Sequence, residues 1–438
     1  MHTNSNDGAP RGGMSRRSFL ASASTAAASA IATANCLTSV AFGKAAGSGR
    51  DVLITVFLRG GMDGLSAVVP AGDAAYTAAR SGSNPDLLVT PTFWLDSQQF
   101  FGLNPAANNL QVPWNAGKLA IVHSAGLKVN GTRSHFDAMA RMETGTDTSA
   151  PYSSGWVGRV LQQIPNSTTD LRGASLTNLL PRMYAAAPQS LPIADPATFS
   201  FPAPPLTEAY RKLHLANAFG ASADPILGSA GRTTLDAIDD VETADTGNYG
   251  LSAGYPPTPF GDALRSIAAL MTAPSMNLEV AHVDFGGWDH HDSMGPVSGT
   301  FAGMIADLAD SMKAFYEDLD GTGIQYTMIV QTEFGRRIVG NLSLGTDHGK
   351  GGVMLVMGPN VAGGVGGSGV ITNGWDAFQN PVDSPLLDTN DDEGDLPVEI
   401  DWRDIAAEVL MERLLLTQPD IDAVFPNLGV PTLWGVTT

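Results

Sequence analysis

The sequence predicts an α/β protein built on a mostly parallel sheet with helices on both faces. Nearly continuous apolar runs, such as residues 52–58 and 353–357, have the composition of strands that are buried on both sides. Segments with apolar residues at helical spacing, such as residues 299–319, lie between such runs. Strands that alternate with helices are typical of parallel sheets, which bind ligands at the carboxyl ends of their strands.

Residues 1–44 have the features of a twin-arginine export signal. Arg16 and Arg17 precede a weakly apolar run rich in Ala and Ser, residues 21–40, and small residues follow it. The alternative, a membrane anchor, is disfavoured because the run lacks the bulky apolar side chains of a bilayer-spanning helix. We therefore expect a periplasmic or secreted protein that uses the twin-arginine export machinery. The only cysteine, Cys36, lies in this segment, so the mature chain should contain no disulfide.

The remaining residues form a long, acidic chain. Removal of residues 1–44 takes away four cationic side chains and one anionic side chain, which changes the net charge from −20 to −23. Such a chain repels nucleic acids and anionic membrane surfaces, so neither is an expected partner. No later segment is long and apolar enough to span a membrane. Residues 50–438 are sufficient for one large α/β domain with insertions, or for one domain with a cap.

The first half of this domain begins with a predicted strand, residues 51–58, which ends in a Gly-rich turn containing Asp63. A second strand at residues 118–123 precedes a helix at residues 134–143, which Gly145 would end. Residues 151–260 are rich in Pro, Ser, Thr and Ala. They predict a loop-rich insertion or lid, with one helical segment near residues 206–219.

The second half returns to a regular alternation. The pattern predicts strands at residues 277–283, 326–330 and 353–357, with the helix of residues 299–319 between the first two. The acidic residues 376–397 predict a surface loop. A final helix should follow Asp401, whose side chain is suited to cap its first turn.

Three short segments contain most of the metal-binding chemistry: residues 286–291, 332–336 and 346–349. They hold three of the eight His residues, each near an Asp, in Gly-rich sequence where a strand should end. Imidazole and carboxylate groups bind Zn²⁺, Mn²⁺ or Mg²⁺. The pattern therefore predicts a two-metal hydrolase, with Zn²⁺ as the expected ion and Mg²⁺, Mn²⁺ or Ca²⁺ as alternatives.

Five motifs carry a resemblance to a known family. They are residues 59–64 (Arg-Gly-Gly-Met-Asp-Gly), 133–137 (Arg-Ser-His-Phe-Asp), 287–291 (Gly-Trp-Asp-His-His), 332–336 (Thr-Glu-Phe-Gly-Arg) and 347–349 (Asp-His-Gly). In this order they resemble the secreted family catalogued as domain of unknown function 1501. That family is more remotely similar to the alkaline phosphatase, sulfatase and cofactor-independent phosphoglycerate mutase superfamily. The resemblance spans about residues 50–430 and implies an alkaline-phosphatase-like fold that hydrolyses phosphate or sulfate esters.

The resemblance implies a set of metal ligands. It places Asp63 as the first ligand, Asp289 and His291 as a ligand pair, and His348 as the last His. The sequence departs from the superfamily at Glu333, because Glu followed by Phe stands where Asp followed by His is usual. Asp63 has a competing role as a turn residue. Asp347 is either a ligand or the partner that orients a ligating imidazole, and Glu333 is either a ligand or an ion-pair partner of Arg336.

The resemblance also implies catalytic groups. Ser134, at the start of a helix, takes the position of the nucleophile, while Arg133 and His135 contact the transferred group. A Ser at a helix start is more often an N-cap, and Thr132 is an alternative nucleophile. His282, inside a strand, is expected in the core or beside a ligand.

Two functions remain from the sequence. The first is an exported metal-dependent hydrolase acting on a small or polymeric ester. The second is a non-catalytic metal-binding or assembly protein on a degenerate fold of the same class.

Overall fold

The computed structural model describes residues 49–83, 85–148, 152–165, 170–244, 246–274, 276–364, 369–373, 375 and 395–438. The predictions for the export signal and Cys36, and for the acidic loop up to residue 394, fall outside these residues. The described chain divides into two compact units, one formed by residues 201–236 and the other by the remainder.

The described residues contain fourteen strands and eleven α-helices. The strands are β1 (Val52–Arg59), β2 (Val68–Val69), β3 (Phe93–Trp94), β4 (Gly102–Leu103), β5 (Leu119–Gly126), β6 (Gly173–Ser175), β7 (Ser190–Pro192), β8 (Val280–Gly286), β9 (Tyr326–Gln331), β10 (Arg336–Gly340), β11 (Thr346–His348), β12 (Gly352–Met357), β13 (Val370–Ile371) and β14 (Ile400–Asp401). The helices are α1 (Gly64–Ala67), α2 (Ala74–Ser83), α3 (Gln111–Asn115), α4 (His135–Thr144), α5 (Trp156–Gln163), α6 (Pro205–Gly220), α7 (Pro225–Thr243), α8 (Pro259–Thr272), α9 (Thr300–Leu319), α10 (Trp402–Arg413) and α11 (Gln418–Val424). Short 3₁₀ helices span Pro85–Leu87, Pro105–Leu110 and Arg182–Tyr184.

A nine-stranded sheet forms the centre of the larger unit. Its order is β13-β5-β12-β9-β1-β8-β6-β7, and β14 pairs with β5. The strands are parallel except β12, which is antiparallel to both β5 and β9. Only the β10–β11 hairpin, and no helix, separates β9 from β12, so the chain re-enters the sheet at the edge it has just left and must run in the opposite direction. The predicted α/β class with a mostly parallel sheet is confirmed.

Both faces of the sheet are covered by helices because the central strands are apolar on both sides. In β1, Ile54 and Val56 contribute to one core, which includes residues of α8 and α9. Leu53 and Phe57 point to the opposite face and join a second core with residues of α4, α5, α10 and α11. Burial on both faces explains why β1 reads as a nearly continuous apolar run.

The carboxyl ends of three central strands lie side by side. Arg59 at the end of β1 pairs with Gly286 at the end of β8, and Phe57 of β1 pairs with Gln331 at the end of β9. The chain segments that follow these strands therefore leave the sheet at one edge, where ligands of α/β proteins bind.

Residues 151–260 are not uniform. They supply α5 to the second core and the strands β6 and β7 to the sheet. Residues 201–236 make the separate unit, in which α6 is followed by the first part of α7. A lid or insertion with the bounds 151–260 stays a prediction. Among the described helices, none has both the length and the hydropathy needed to cross a lipid bilayer.

Candidate metal centre

The turn after β1 brings the polar segments into contact. Gly60 has a φ of 121°, and a Cβ atom at this position would lie 2.5 Å from the backbone nitrogen of Asp289. Only glycine permits this approach. The Gly60 nitrogen donates a hydrogen bond to Glu333 Oε1 at 2.9 Å, and the Trp288 nitrogen donates to the Arg59 carbonyl at 3.1 Å. The turn thus joins the segments that follow β8 and β9.

Three imidazoles and one carboxylate converge above this turn. His348 Nε2 lies 3.0 Å from His135 Nε2 and 2.8 Å from His291 Nε2. Asp289 Oδ1 lies 3.2 Å from His348 Nε2 and 3.0 Å from His291 Nε2, and Asp289 Oδ2 lies 3.4 Å from His135 Nε2. We call these four residues the His/Asp cluster. Within it, His135, Asp289 and His348 form a possible metal-binding group.

Each imidazole of the His/Asp cluster is anchored through its other nitrogen. His135 Nδ1 donates to Glu333 Oε1 at 2.7 Å, and His291 Nδ1 donates to Asp347 Oδ1 at 3.0 Å. His348 Nδ1 donates to the carbonyl of Arg133 at 2.8 Å. Because all three acceptors are oxygens, each Nδ1 carries a proton, and in the neutral tautomer with this arrangement three Nε2 lone pairs converge beside a carboxylate.

This donor set fits a divalent cation. Lone pairs that face one another repel, and a cation between them relieves the repulsion. Ligating imidazoles in proteins usually donate their second nitrogen to a carboxylate or carbonyl oxygen, as all three do in the His/Asp cluster. Nitrogen and carboxylate ligands are typical of Zn²⁺ and of other transition metals.

Arg336 fixes the carboxylate of the cluster. Its Nη2 donates to Asp289 Oδ1 at 2.6 Å and also to the Gly60 carbonyl. Burial tends to raise the pKa of Asp289, but the hydrogen bond from Arg336 is the largest of the opposing effects, which lower the pKa to about 2. Burial lowers the pKa of His348. Both shifts favour the protonation states that a metal ligand requires.

Glu333 is fully buried and occupies an orienting position. Its Oε1 accepts hydrogen bonds from Gly60 and His135, and the hydroxyl of Thr332 lies 3.1 Å from its Oε2. The ring of Phe334 packs against the rings of His135 and His348, with centroids 4.8 and 4.7 Å apart. The contacts of Arg336 within the described residues are with Asp289, His291 and backbone carbonyls, so they do not support the alternative ion pair with Glu333.

Residues 203–393 match the family model described as Protein of unknown function (DUF1501). The matched DUF1501 range contains Asp289, His291, Glu333, Asp347 and His348. Asp63 and the segment around Ser134 lie before it. No curated protein matches the chain. The DUF1501 description names no reaction.

The structure brings together most of the residues predicted for the site. Asp289, His291 and His348 lie together in the His/Asp cluster. Asp347 contacts Nδ1 of His291, which matches the second of its two predicted roles, that of a partner orienting a ligating imidazole. Asn341 also donates to Asp347 Oδ1, and this hydrogen bond lowers the pKa of Asp347.

Asp63 has other contacts. Its carboxylate binds the buried guanidinium of Arg80 at 2.9 Å, accepts a hydrogen bond from the Ser66 nitrogen and caps α1. The Thr346 hydroxyl lies 3.4 Å from its Oδ2. These contacts match the competing role of a turn residue, and its role as a metal ligand stays a prediction.

Ser134 and Arg133 sit at the start of α4. Ser134 is exposed and is the N-cap of this helix, with its oxygen 3.5 Å from the Asp137 nitrogen. The guanidinium of Arg133 binds Asp395, while its carbonyl orients His348. His282 is buried in β8 and contacts Thr55 and Asp284, as expected for a core residue. The catalytic roles of Ser134 and Arg133 stay predictions.

Two residues have a larger part in the site than the sequence indicated. His135, expected to contact the transferred group, offers its Nε2 to the His/Asp cluster. Arg336, considered only as a partner for Glu333, binds Asp289 instead. Both lie inside the five motifs. A preference for imidazole over hydroxyl ligands would have selected His135, whereas nothing in the sequence marks the partner of Arg336.

Proposed function

We propose that the His/Asp cluster binds a divalent metal ion and that the protein is an exported metal-dependent hydrolase of phosphate or sulfate esters. The observation that supports this most is the convergence of three anchored imidazoles on the carboxylate of Asp289. Zn²⁺ is the ion we expect, since His and Asp are its usual ligands together with Cys.

His135, Asp289, His291 and His348 would hold the ion, and Glu333 and Asp347 would orient two of the imidazoles. The ion would supply a Lewis acid that polarises an oxygen of the phosphate or sulfate group. The side chains of Asp289 and His291 are 47% and 42% exposed, so an ester can approach the cluster from solvent. Arg336 would keep Asp289 ionised and in place.

Metal content provides the first test. Purified protein should contain a divalent metal by elemental analysis, and the double variant Asp289→Ala with His291→Ala should lose most of it. His214→Ala, which removes an exposed imidazole on α6, is the matched control and should retain the wild-type content. Full metal occupancy in the double variant would rule out the His/Asp cluster as the site.

Turnover provides the second test. Aryl phosphate and aryl sulfate esters should be hydrolysed by the metal-loaded protein and not after treatment with a chelator. Restoration of activity by added Zn²⁺ or Mn²⁺ would identify the active ion. A metal-loaded protein without turnover on either ester would contradict the proposed reaction while leaving metal binding intact.

The second candidate is a non-catalytic metal-binding or assembly protein. It is favoured by the contacts of two residues that were predicted to act in a hydrolase, Asp63 as a metal ligand and Ser134 as the nucleophile. Asp63 is held by Arg80, and the oxygen of Ser134 serves as the cap of α4. Metal content does not separate the two candidates, because both retain the cluster. Ester turnover does.

Export to the periplasm or beyond is part of the proposal. It is supported by Arg16 and Arg17 ahead of a weakly apolar run. Replacement of both residues by Lys should keep the precursor inside the cell. Immunoblotting of cell fractions measures the export. Normal export of that double variant would contradict a twin-arginine route.

A further inference from the structure

We infer that the site holds a single divalent ion and that Arg336 takes the place of a second cation beside Asp289. This inference rests on the proposed metal binding and departs from the two-metal arrangement that the sequence predicts. Arg336 is a positioning residue in this account, because it acts on the ligand Asp289 and not on substrate.

The guanidinium of Arg336 is fixed by backbone carbonyls on several sides. Its Nε donates to the Gly61 carbonyl at 2.6 Å, its Nη1 donates to the Thr346 carbonyl at 2.8 Å, and its Nη2 donates to the Gly60 carbonyl. The remaining direction of Nη2 is used by Asp289 Oδ1 at 2.6 Å. The side chain is almost completely buried. These hydrogen bonds fix the position of the guanidinium, and the guanidinium in turn fixes the position of Asp289 Oδ1.

Asp63 is the carboxylate that a second ion would need, and its charge is already neutralised by Arg80. Asp63 Oδ2 lies 2.9 Å from Arg80 Nη1, and Asp63 Oδ1 accepts from Arg80 Nη2 at 3.2 Å. Both side chains are buried. Within the described residues, no contact joins the carboxylate of Asp63 to an imidazole of the His/Asp cluster, whereas the carboxylate of Asp289 contacts both its guanidinium and the imidazoles.

The charges around the cluster agree with one ion. The carboxylates of Asp63 and Asp289 are paired with Arg80 and Arg336, while those of Glu333 and Asp347 accept hydrogen bonds from imidazoles of the cluster. Two negative charges are left over. One divalent ion would balance the negative charges of Glu333 and Asp347.

The direct test is the number of ions per chain. Wild-type protein is stripped with a chelator, incubated with excess ZnCl₂, freed of unbound metal and analysed for zinc and protein. We expect one zinc per chain. Two tightly bound zinc ions would overturn the inference and leave metal binding as such intact. No bound zinc would overturn the proposed function together with it.

Two isosteric variants locate the ion. Asp63→Asn should still bind one zinc per folded chain, because Asp63 serves Arg80. Asp289→Asn should lose zinc binding, because it removes the carboxylate of the cluster. Loss of zinc from folded Asp63→Asn protein would show that Asp63 is a ligand and would overturn the inference.

Arg336 is tested by its effect on zinc affinity. Loss of a residue that orients a metal ligand typically weakens binding by about 10- to 100-fold, and we expect this for the zinc dissociation constant of Arg336→Gln. Arg336→Lys keeps the charge but cannot serve all the carbonyls, so it should recover part of the loss. Arg211→Gln removes an exposed guanidinium on α6 and should leave the affinity unchanged.

Wild-type affinity in folded Arg336→Gln protein would overturn the positioning role. Circular dichroism and a urea unfolding curve establish that each variant is folded. If Arg336→Gln does not fold, the zinc count of the wild type and of Asp63→Asn still decides between one ion and two.

Discussion

Glu333→Gln should weaken metal binding without removing the site. The carboxylate of Glu333 accepts from Gly60 and His135 through Oε1, and its Oε2 lies beside the Thr332 hydroxyl. An amide fits the same space: its oxygen keeps both acceptor contacts, and its NH₂ group can donate to the hydroxyl of Thr332, which itself lies 2.8 Å from the Leu58 carbonyl. Only the negative charge behind His135 is lost.

The size of the effect follows from that charge. A hydrogen bond to an ionised group contributes about 1 kcal/mol more than one between neutral groups. If only the His135 contact is coupled to the metal, the loss is about 1 kcal/mol, and if the charge also acts directly on the ion, it is about 2 kcal/mol. Since about 1.4 kcal/mol corresponds to a factor of ten, the dissociation constant should rise roughly 5- to 30-fold.

Competition with a chromogenic chelator measures this change. Zn²⁺ is titrated into the stripped wild type, Glu333→Gln and the control Glu412→Gln, in which the same chemical change occurs at an exposed position of α10. The control should match the wild type. An unchanged dissociation constant for folded Glu333→Gln would refute the role of Glu333 in orienting His135.

Three further predictions concern other parts of the structure. Ser134→Ala should cost about 1 kcal/mol of stability in urea unfolding while metal content and ester turnover persist, because Ser134 caps α4; a fall in kcat of several orders of magnitude would instead identify it as the nucleophile. Burial lowers the pKa of His123 to about 4, below its ordinary value, so the folded chain binds fewer protons than the unfolded chain and stability should fall as the pH drops from about 6.5 to 4. This loss should be about 3 kcal/mol and absent from His123→Gln, and equal pH dependence of the two proteins would contradict it. Glu408→Ala should speed amide hydrogen exchange at Trp434, Gly435 and Thr437, whose nitrogens donate to the Glu408 carboxylate, and unchanged exchange there would exclude that anchor.

Much of the fold could be predicted because the local and the overall signals agree. The helix expected at residues 299–319 spans Thr300–Leu319, and the strand expected at residues 326–330 spans Tyr326–Gln331. The helix expected before Gly145 ends there, with Gly145 in the left-handed conformation at φ 64°. In each case the apolar period and the terminating residue indicate the same element.

The strands β6 and β7 could not be predicted in the same way. Each has three residues, and β7 ends in a proline. Such short segments bury too few side chains to show a period, and their place in the sheet comes from pairing with strands far away in the sequence. The direction of β12 was likewise hidden, because the composition of a buried strand does not depend on its direction.

The site was partly predictable for a related reason. Asp289, His291 and His348 are types of residue that bind metals, and they lie in Gly-rich sequence next to predicted strands, so their meeting at one edge could be expected. Sequence cannot tell which of several acids is a ligand and which is neutralised by an arginine. Asp63 and Asp289 both follow central strands, and both bind a buried guanidinium. They differ because only the carboxylate of Asp289 also faces the imidazoles.

The groups of the His/Asp cluster come from three separate parts of the chain: the start of α4, the loop after β8 and the end of β11. An ion bound there would connect these parts in the folded state and would have no comparable site in the unfolded chain. Binding to the folded state alone stabilises a protein by about 2.7 kcal/mol when the free ligand is at 100 times its dissociation constant. Metal should therefore raise the free energy of unfolding, and most of all slow hydrogen exchange in the β10–β11 hairpin. Arg336 already ties that hairpin to Gly60 and Gly61, so amide exchange there should be slow without metal and slower still when the ion is bound.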